Sequence, residues 1–412
     1  MTRTHVGESS TRRVLYVEHT VDGTVGGSHY CLLDICRNLD RSRFHPVVLF
    51  FQDNPLLEEF RSAGSEVLVG NPVVPLVQGR GGHASSAADV LAARTRAALN
   101  ATRLLLVRPV QWIWFLKKHR IDLVHLNNSF NGDHDLILAA WLSGIPCIAH
   151  QRGVPGTTGR SEAWFGRRLT AIIAISSFIR ADLLGRGLPG DRIHLIYDGI
   201  DPDRVAMRDR PEELVASLDV VPGQPVVGVV GNIKSWKGQH VFVEAIAEVT
   251  AHYPSVVGLV VGAPVEPAYQ QQLHTLVQEY GIEKNIAFVG YQRHPVDYMR
   301  IMDAVIHTSV EPEPFGIVIA EAMALGKPVI ATRLGGPVDI VVEGVTGYLT
   351  CPGNSHELAD RIRRLLSAPM LARRMGAEGL RRFVERFTAG RNVEQIQALY
   401  GKCVTGGAGE QS

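Results

Sequence analysis

Short, continuously apolar runs alternate with longer segments of helical period along most of the chain. In the first half the runs are RRVLYVEH, FHPVVLFF, SEVLVG, IDLVHL, IPCIAH and AIIAIS. In the second half they are PVVGVVGN, SVVGLVVG, NIAFVG, DAVIHTS, KPVIATR and GYLT. Strands covered on both faces read as unbroken apolar runs, and helices between them imply parallel pairing. A dozen strands exceeds what one open sheet usually holds, so the pattern predicts two doubly wound, Rossmann-like α/β domains. The stretch from Asp198 to Pro225 is rich in charge, Pro and Gly and has no strand-like run, which marks the boundary. The expected domains cover residues 1–205 and 206–390. Beyond Pro352 the chain reads as successive helices, and the last, about 391–412, is expected to pack back on the N-terminal domain.

Composition narrows the function classes. The 412 residues carry 42 basic and 41 acidic side chains, a net charge of +1, which argues against a dedicated nucleic-acid binder. Hydrophobic and charged fractions of 45% and 20% exclude wholesale disorder. The five cysteines form no C-x-x-C pair and are too few for a disulfide scaffold. The N-terminal MTRTHVGESSTRR lacks the apolar core of a signal peptide, and Leu104–Leu116 is broken by Arg108 and Pro109. The expectation is a reduced, cytoplasmic protein, soluble or peripheral on the inner face of the cell membrane.

Charge is nevertheless uneven. Between Val67 and Ile121 stand eight basic residues (Arg80, Arg94, Arg96, Arg103, Arg108, Lys117, Lys118 and Arg120) against one acid, Asp89. They interleave with Leu104, Leu105, Leu106, Trp112, Ile113, Trp114 and Phe115. Trp, Leu, Lys and Arg in alternation suit a segment, about 90–120, that dips into an anionic leaflet. The competing reading is a solvated helix packing its apolar side on its own domain.

Three blocks carry candidate chemistry. The strongest is Thr308–Leu349, where the strand DAVIHTS ends near Ser309, a loop carries Glu311 and Glu313, and Gly316 opens an apolar helix that stops at Gly326. Unpaired N–H groups near Gly316, Ile317 and Val318, with the positive end of the helix dipole, offer a seat for phosphate. Glu313 and Glu321 repel phosphate but accept well from hydroxyls, so a sugar and a ribose on either side of a diphosphate suit them. This segment resembles the signature of the retaining GT-B glycosyltransferases of family four: Glu, seven residues, Glu, with Phe-Gly after the first and a Gly-Lys-Pro-Val strand following. Glu313, Phe315, Gly316, Glu321, Gly326, Lys327 and Pro328 stand where that pattern wants them.

In the second block, VVGVVGNIKSWKGQHVFVEAIAEV, a strand ends at Gly231 and a loop carries Lys234, Trp236 and Lys237 before a helix starts at Gly238. A cation there can neutralise a departing diphosphate. The family pattern has an Arg and a Lys; Lys237 matches the Lys, but Asn232 holds the Arg position, so charge stabilisation rests on Lys237, with Lys234 a second candidate. In the third block, Val17–Leu39, Gly26 and Gly27 permit close backbone approach to an anion at a helix start near Ser28. It lacks G-x-G-x-x-G; by resemblance it is the loop that reaches the donor phosphate and the acceptor.

Two further strand ends face the same expected cleft. VHLNN supplies His125, Asn127 and Asn128 on the acceptor or sugar side, and CIAHQRG supplies His150 and Arg152. Many relatives have a His at the place of Arg152, so either His150 or Arg152 takes the donor-sugar contact. Asp133-His134-Asp135 reads as Asp-x-Asp, a metal motif of the GT-A fold, but here it opens a helix, and capping is the better reading. No His/Cys cluster has metal-ligand spacing.

The resemblance implies a two-domain GT-B enzyme moving a sugar from a nucleoside diphosphate donor to a hydroxyl acceptor with retention. The second domain holds the donor through Gly26, Gly27, Asn232, Lys237, Phe315, Gly316, Ile317, Val318 and Glu321, two of these reaching across from the first. Glu313, Lys237, His150 and Arg152 are the catalytic candidates. No cofactor or divalent metal is expected, and a lipid-linked or polysaccharide precursor is the expected acceptor. Alternatives are a sugar-nucleotide 2-epimerase of the same fold, or a degenerate partner subunit that binds nucleotide sugar without turnover.

Overall fold

The computed structural model describes residues 11–18, 26–76, 87–154, 160–205, 214, 218, 220–221 and 223–406. The chain divides into two compact units. One comprises the chain up to Ile175, Ile179–Ile196 and the segment from Val393; the other comprises Ser176–Phe178 and Tyr197–Asn392.

The first unit is a seven-stranded parallel sheet: β1 (Arg12–Glu18), β2 (Phe44–Phe50), β3 (Glu66–Val69), β4 (Leu123–Leu126), β5 (Cys147–Gln151), β6 (Ala171–Ala174) and β7 (Ile193–Leu195), in the order 3-2-1-4-5-6-7. Six of these are the apolar runs of the sequence. The seventh is three residues at the sheet edge, from buried Ile193 to exposed Leu195, with too short a run to stand out. The second unit is a six-stranded parallel sheet: β8 (Val226–Val230), β9 (Val257–Val261), β10 (Ile286–Gly290), β11 (Ala304–His307), β12 (Val329–Thr332) and β13 (Gly347–Thr350), in the order 10-9-8-11-12-13.

Both sheets are buried on two faces, which is why their strands lack polar alternation. In the first, Val14, Tyr16, Val48, Leu123, Ile148 and Ile173 join one core with helix Gly27–Asn38 and the C-terminal helix Ala389–Gly406, which adds Val393, Ile396, Leu399 and Tyr400. In the second, Val227, Val229, Val260, Ile306 and Ile330 pack with Phe242 and Ile246 of helix Gln239–Thr250 and with Leu358 and Ile362 of helix Ser355–Ser367. Each sheet reverses its winding once, between β1 and β4 and between β8 and β11. Loops leaving the carboxyl ends of strands diverge there and open a crevice.

The basic segment divides between its two readings. Helix Ala87–Thr102 passes through a π-helical stretch, Arg103–Val107, into helix Arg108–Lys118. Trp112, Phe115 and Leu116 turn into the core, and Arg108 pairs with buried Asp135 at 2.7 Å, so these four do not face outward. Leu105, Leu106, Val107, Val110 and Trp114 remain exposed, beside exposed Lys117 and Lys118. Arg80 lies outside the described residues. The capping reading of Asp133 also needs correction. Asp133 is the N-cap residue of helix His134–Leu142 but its side chain makes no capping bond, and Asp135 instead accepts from Trp112 Nε1 at 2.9 Å. A partly buried guanidinium and a buried indole compete better for that carboxylate than a helix end does. Among the described residues no helix is long and apolar enough to cross a membrane.

Candidate functional site

In the second unit the reversal point brings together the loops after β8 and β11. The loop after β8 makes a turn at Ser235–Lys237 and enters helix Gln239–Thr250 through Gly238. Gly238 has φ +67°, and a Cβ there would sit 2.2 Å from the Thr308 carbonyl oxygen. Only glycine lets the two loops touch this closely. Thr308 Oγ1 donates to the Lys237 carbonyl at 3.0 Å, and the Val310 N–H donates to the Trp236 carbonyl at 2.9 Å. These contacts fix Lys237 against the end of β11.

The Lys237 ammonium donates to Glu313 Oε2 at 2.5 Å and lies 4.2 Å from the centroid of the Trp236 ring. The same carboxylate oxygen is 3.2 Å from Ser309 Oγ and 3.4 Å from His307 Nε2, while Thr332 Oγ1 is 3.3 Å from His307 Nδ1. Burial would raise the Glu313 pKa, but the His307 hydrogen bond and the Lys237 charge outweigh it and hold the carboxyl at about 2. Glu313 is therefore a permanent anion with one oxygen committed to a cation.

Helix Ile317–Ala324 starts from Gly316, whose φ of +113° favours glycine. The first N–H groups of a helix have no partner within it, so the backbone at Gly316, Ile317 and Val318 presents donors beside Glu313. The Phe315 ring does not; it is buried against Tyr197 and Phe387, 6.2 and 6.0 Å between centroids, and anchors the loop. Glu321 is neither a surface i,i+4 partner nor exposed. It pairs with Arg204 Nη2 at 3.3 Å; burial raises its pKa and Arg204 opposes that. Asn232 is exposed, its carbonyl taken by Gln239 Nε2 at 3.0 Å.

In the first unit the reversal point gathers a second polar cluster. Buried Glu18 ends β1 and accepts from the side-chain amides of Asn127 and Asn128, which follow β4. His29 Nε2 lies 3.7 Å from Glu18 Oε1, and His29 Nδ1 accepts from the Gly26 N–H at 3.2 Å, closing the start of helix Gly27–Asn38. Residues 19–25 of the glycine loop lie outside the described residues. Arg152 follows β5 and donates from Nε to the Asn127 carbonyl at 3.0 Å. His150 stands beside it, 3.3 Å from Arg152 Nη2, and His125 lies buried behind His150.

Glu18, His29, Arg204, His307 and Ser309 were not read from the sequence as site residues. Glu18 and His307 had a faint signal, each being a polar residue closing an apolar strand at a reversal point. Arg204 had none, since its partner lies 117 positions away. Among the described residues no group of three or more His, Cys, Asp and Glu side chains could hold a metal ion.

Two parallel sheets flanked by helices, each with polar residues at its reversal point, define an α/β protein of GT-B type. Residues 25–204 match the family model "Glycosyltransferase Family 4" and residues 211–382 match "Glycosyl transferases group 1". The chain belongs to the group 1, family four glycosyltransferases. It is 31% identical over 245 residues to the alpha-maltose-1-phosphate synthase of Mycolicibacterium smegmatis, covering 56% of this chain and 63% of that protein. It is 35% identical over 196 residues to the D-inositol 3-phosphate glycosyltransferase of Nocardia farcinica, covering 46% and 43%. The chain thus spans less than two thirds of the length of these curated relatives. Among solved structures, that of Anabaena HepE in complex with UDP-glucose superposes with a TM-score of 0.76 at 25% identity, covering 95% of this chain and 99% of that one.

Proposed function

We propose that this chain transfers a sugar from a nucleoside diphosphate sugar to a hydroxyl acceptor with retention at the anomeric carbon. The observation that carries the reading is the Lys237–Glu313 pair beside the opening turn of helix Ile317–Ala324. Lys237 and the N–H groups near Gly316, Ile317 and Val318 hold the diphosphate and absorb its charge as it leaves. The free oxygen of Glu313 accepts from donor-sugar hydroxyls, and Glu321 from the ribose. Arg152, His150 and Asn127 of the first unit serve the sugar and acceptor, with Gly26 and Gly27 supplying backbone donors. By the family resemblance, the acceptor attacks the face from which the diphosphate departs, and a phosphate oxygen takes its proton. The fixed ammonium supplies the cation, so turnover is expected to persist in a chelator. UDP-glucose is the first donor to try, because HepE was solved with it.

Release of UDP from UDP-glucose, followed by chromatography with a panel of hydroxyl acceptors, tests the reading. Release lost in Lys237→Ala and Glu313→Ala supports it, and NMR of the product's anomeric proton decides retention. Binding of nucleotide sugar without any release would favour the degenerate-subunit reading that Asn232 motivates. Interconversion of the nucleotide sugar without acceptor would favour the epimerase reading.

The acceptor we propose is a lipid-linked or polysaccharide precursor at the cytoplasmic membrane face. Support comes from the exposed Leu105, Leu106, Val107, Val110 and Trp114 beside Lys117 and Lys118, with the Lys118 ammonium 4.9 Å from the Trp114 ring centroid. Co-sedimentation with phosphatidylglycerol vesicles at low salt tests it, using Trp114→Ser with Lys117→Gln and Lys118→Gln. Binding retained in that variant overturns this contact.

A further inference from the structure

Behind the polar ends of β1, β4 and β5 the first unit holds side chains that hydrogen-bond one to the next through its core. The Tyr400 hydroxyl, on helix Ala389–Gly406, is 3.0 Å from that of Tyr16 and 2.5 Å from His125 Nδ1. His125 Nε2 is 3.2 Å from His150 Nδ1, and Arg152 Nη2 reaches the same His150 nitrogen at 3.3 Å. Tyr16, His125, His150 and Tyr400 are all buried. Arg152 continues the run to Asn127, with Nε 3.0 Å from its carbonyl and Nη2 3.5 Å from Oδ1.

The chemistry of the end groups orders the protons. A guanidinium only donates, so His150 Nδ1 accepts from Arg152. That nitrogen then has no proton for His125, so His125 Nε2 carries one and donates to it. Burial, and then His150 and the charge of Arg152, hold His125 well below its ordinary pKa, which leaves the ring neutral and its Nδ1 an acceptor. At 2.5 Å, His125 Nδ1 is the nearer of the two acceptors for the single Tyr400 proton, against 3.0 Å to the Tyr16 hydroxyl oxygen.

We propose that Tyr400 is a positioning residue for the first unit's site: its hydroxyl fixes the tautomer of His125, and through it keeps His150 Nδ1 an acceptor that aims Arg152 at Asn127. Without that proton, His125 can carry its own on Nδ1. Its Nε2 then faces the Nδ1 of His150, two acceptors in contact, unless His150 also moves its proton to Nδ1. A His150 so protonated no longer accepts from Arg152. A hydroxyl that only satisfies the core would leave the ring tautomers as they are when removed.

The site's role in sugar transfer rests on the proposed function, but the tautomers do not. The experiment is NMR of the full-length chain labelled with 15N in its histidine rings. Wild type is expected to show His125 and His150 protonated at Nε2. Tyr400→Phe is expected to move His150 toward Nδ1 protonation, whereas Tyr16→Phe, which removes a hydroxyl from the same core, leaves both ring patterns as in wild type. With UDP-glucose as donor, Tyr400→Phe lowers kcat about tenfold, as the loss of one buried hydrogen bond to the site would, while the donor KM stays within about twofold. A wild-type His150 protonated at Nδ1, or a Tyr400→Phe spectrum matching wild type, overturns the proposal without any turnover assay. Correct tautomers with no turnover in wild type count against the sugar-transfer reading alone.

Discussion

Replacing Lys237 by Met keeps the length of the side chain and removes its charge. The ammonium and Glu313 Oε2 are 2.5 Å apart, with side-chain exposures of 21% and 14%. At an effective dielectric of about 20 that separation is worth roughly 7 kcal/mol of gross attraction, most of which offsets the desolvation of the two ions. Removing one partner of a buried pair costs about 3–5 kcal/mol. Here Glu313 keeps Ser309 and His307, so about 2–3 kcal/mol is expected at pH 7. The pH dependence identifies the cause. A carboxyl held at about 2 against an ordinary 4.5 stabilises the fold above the unfolded value, and that contribution disappears as pH falls from about 5 to 2. The variant's Glu313 titrates higher, so the difference between wild type and Lys237→Met shrinks over the same range. Urea unfolding at pH 7, 5 and 3, followed on the second unit's transition, measures it. A destabilisation under about 0.5 kcal/mol at pH 7, within the ordinary range of surface changes, or one constant down to pH 3, refutes the reasoning.

Other substitutions probe the remaining parts. Gly238→Ala places a Cβ 2.2 Å from the Thr308 carbonyl in a left-handed backbone, so it should cost more than about 1 kcal/mol and, by moving Lys237, cut nucleotide-sugar turnover; stability and rate are measured on the same preparation. Arg204→Ala strips Glu321 of the charge opposing its burial, so the Glu321 carboxyl titrates higher still, and nucleoside diphosphate affinity measured by calorimetry should gain a pH dependence that wild type lacks. Arg108→Ala leaves Asp135 buried with only the Trp112 N–H, and should lower thermal stability by several degrees without touching the donor affinity.

The sequence announced most of this architecture because two-sided burial writes strands as apolar runs. Twelve of the thirteen strands stand in those runs, and the edge strand Ile193–Leu195 escaped because three residues are too few to carry a pattern. Pairing over distance was hidden. Arg108 and Trp112 looked like membrane-facing residues until Asp135 claimed both, and no sign in the sequence marked Arg204 as the partner of Glu321. Nothing local encodes those choices, since each partner lies on another element and only the packed fold brings it near. Tyr400 is the extreme case, 275 positions from the histidine it touches.

The account depends most on a nucleoside diphosphate seat in the second unit. Calorimetric titration of UDP, GDP and ADP into wild type, Lys237→Met and Glu321→Gln tests it directly. One diphosphate is expected to bind wild type and to lose at least tenfold in affinity, about 1.4 kcal/mol, in each variant. Diphosphate binding of equal strength in all three proteins would contradict the account.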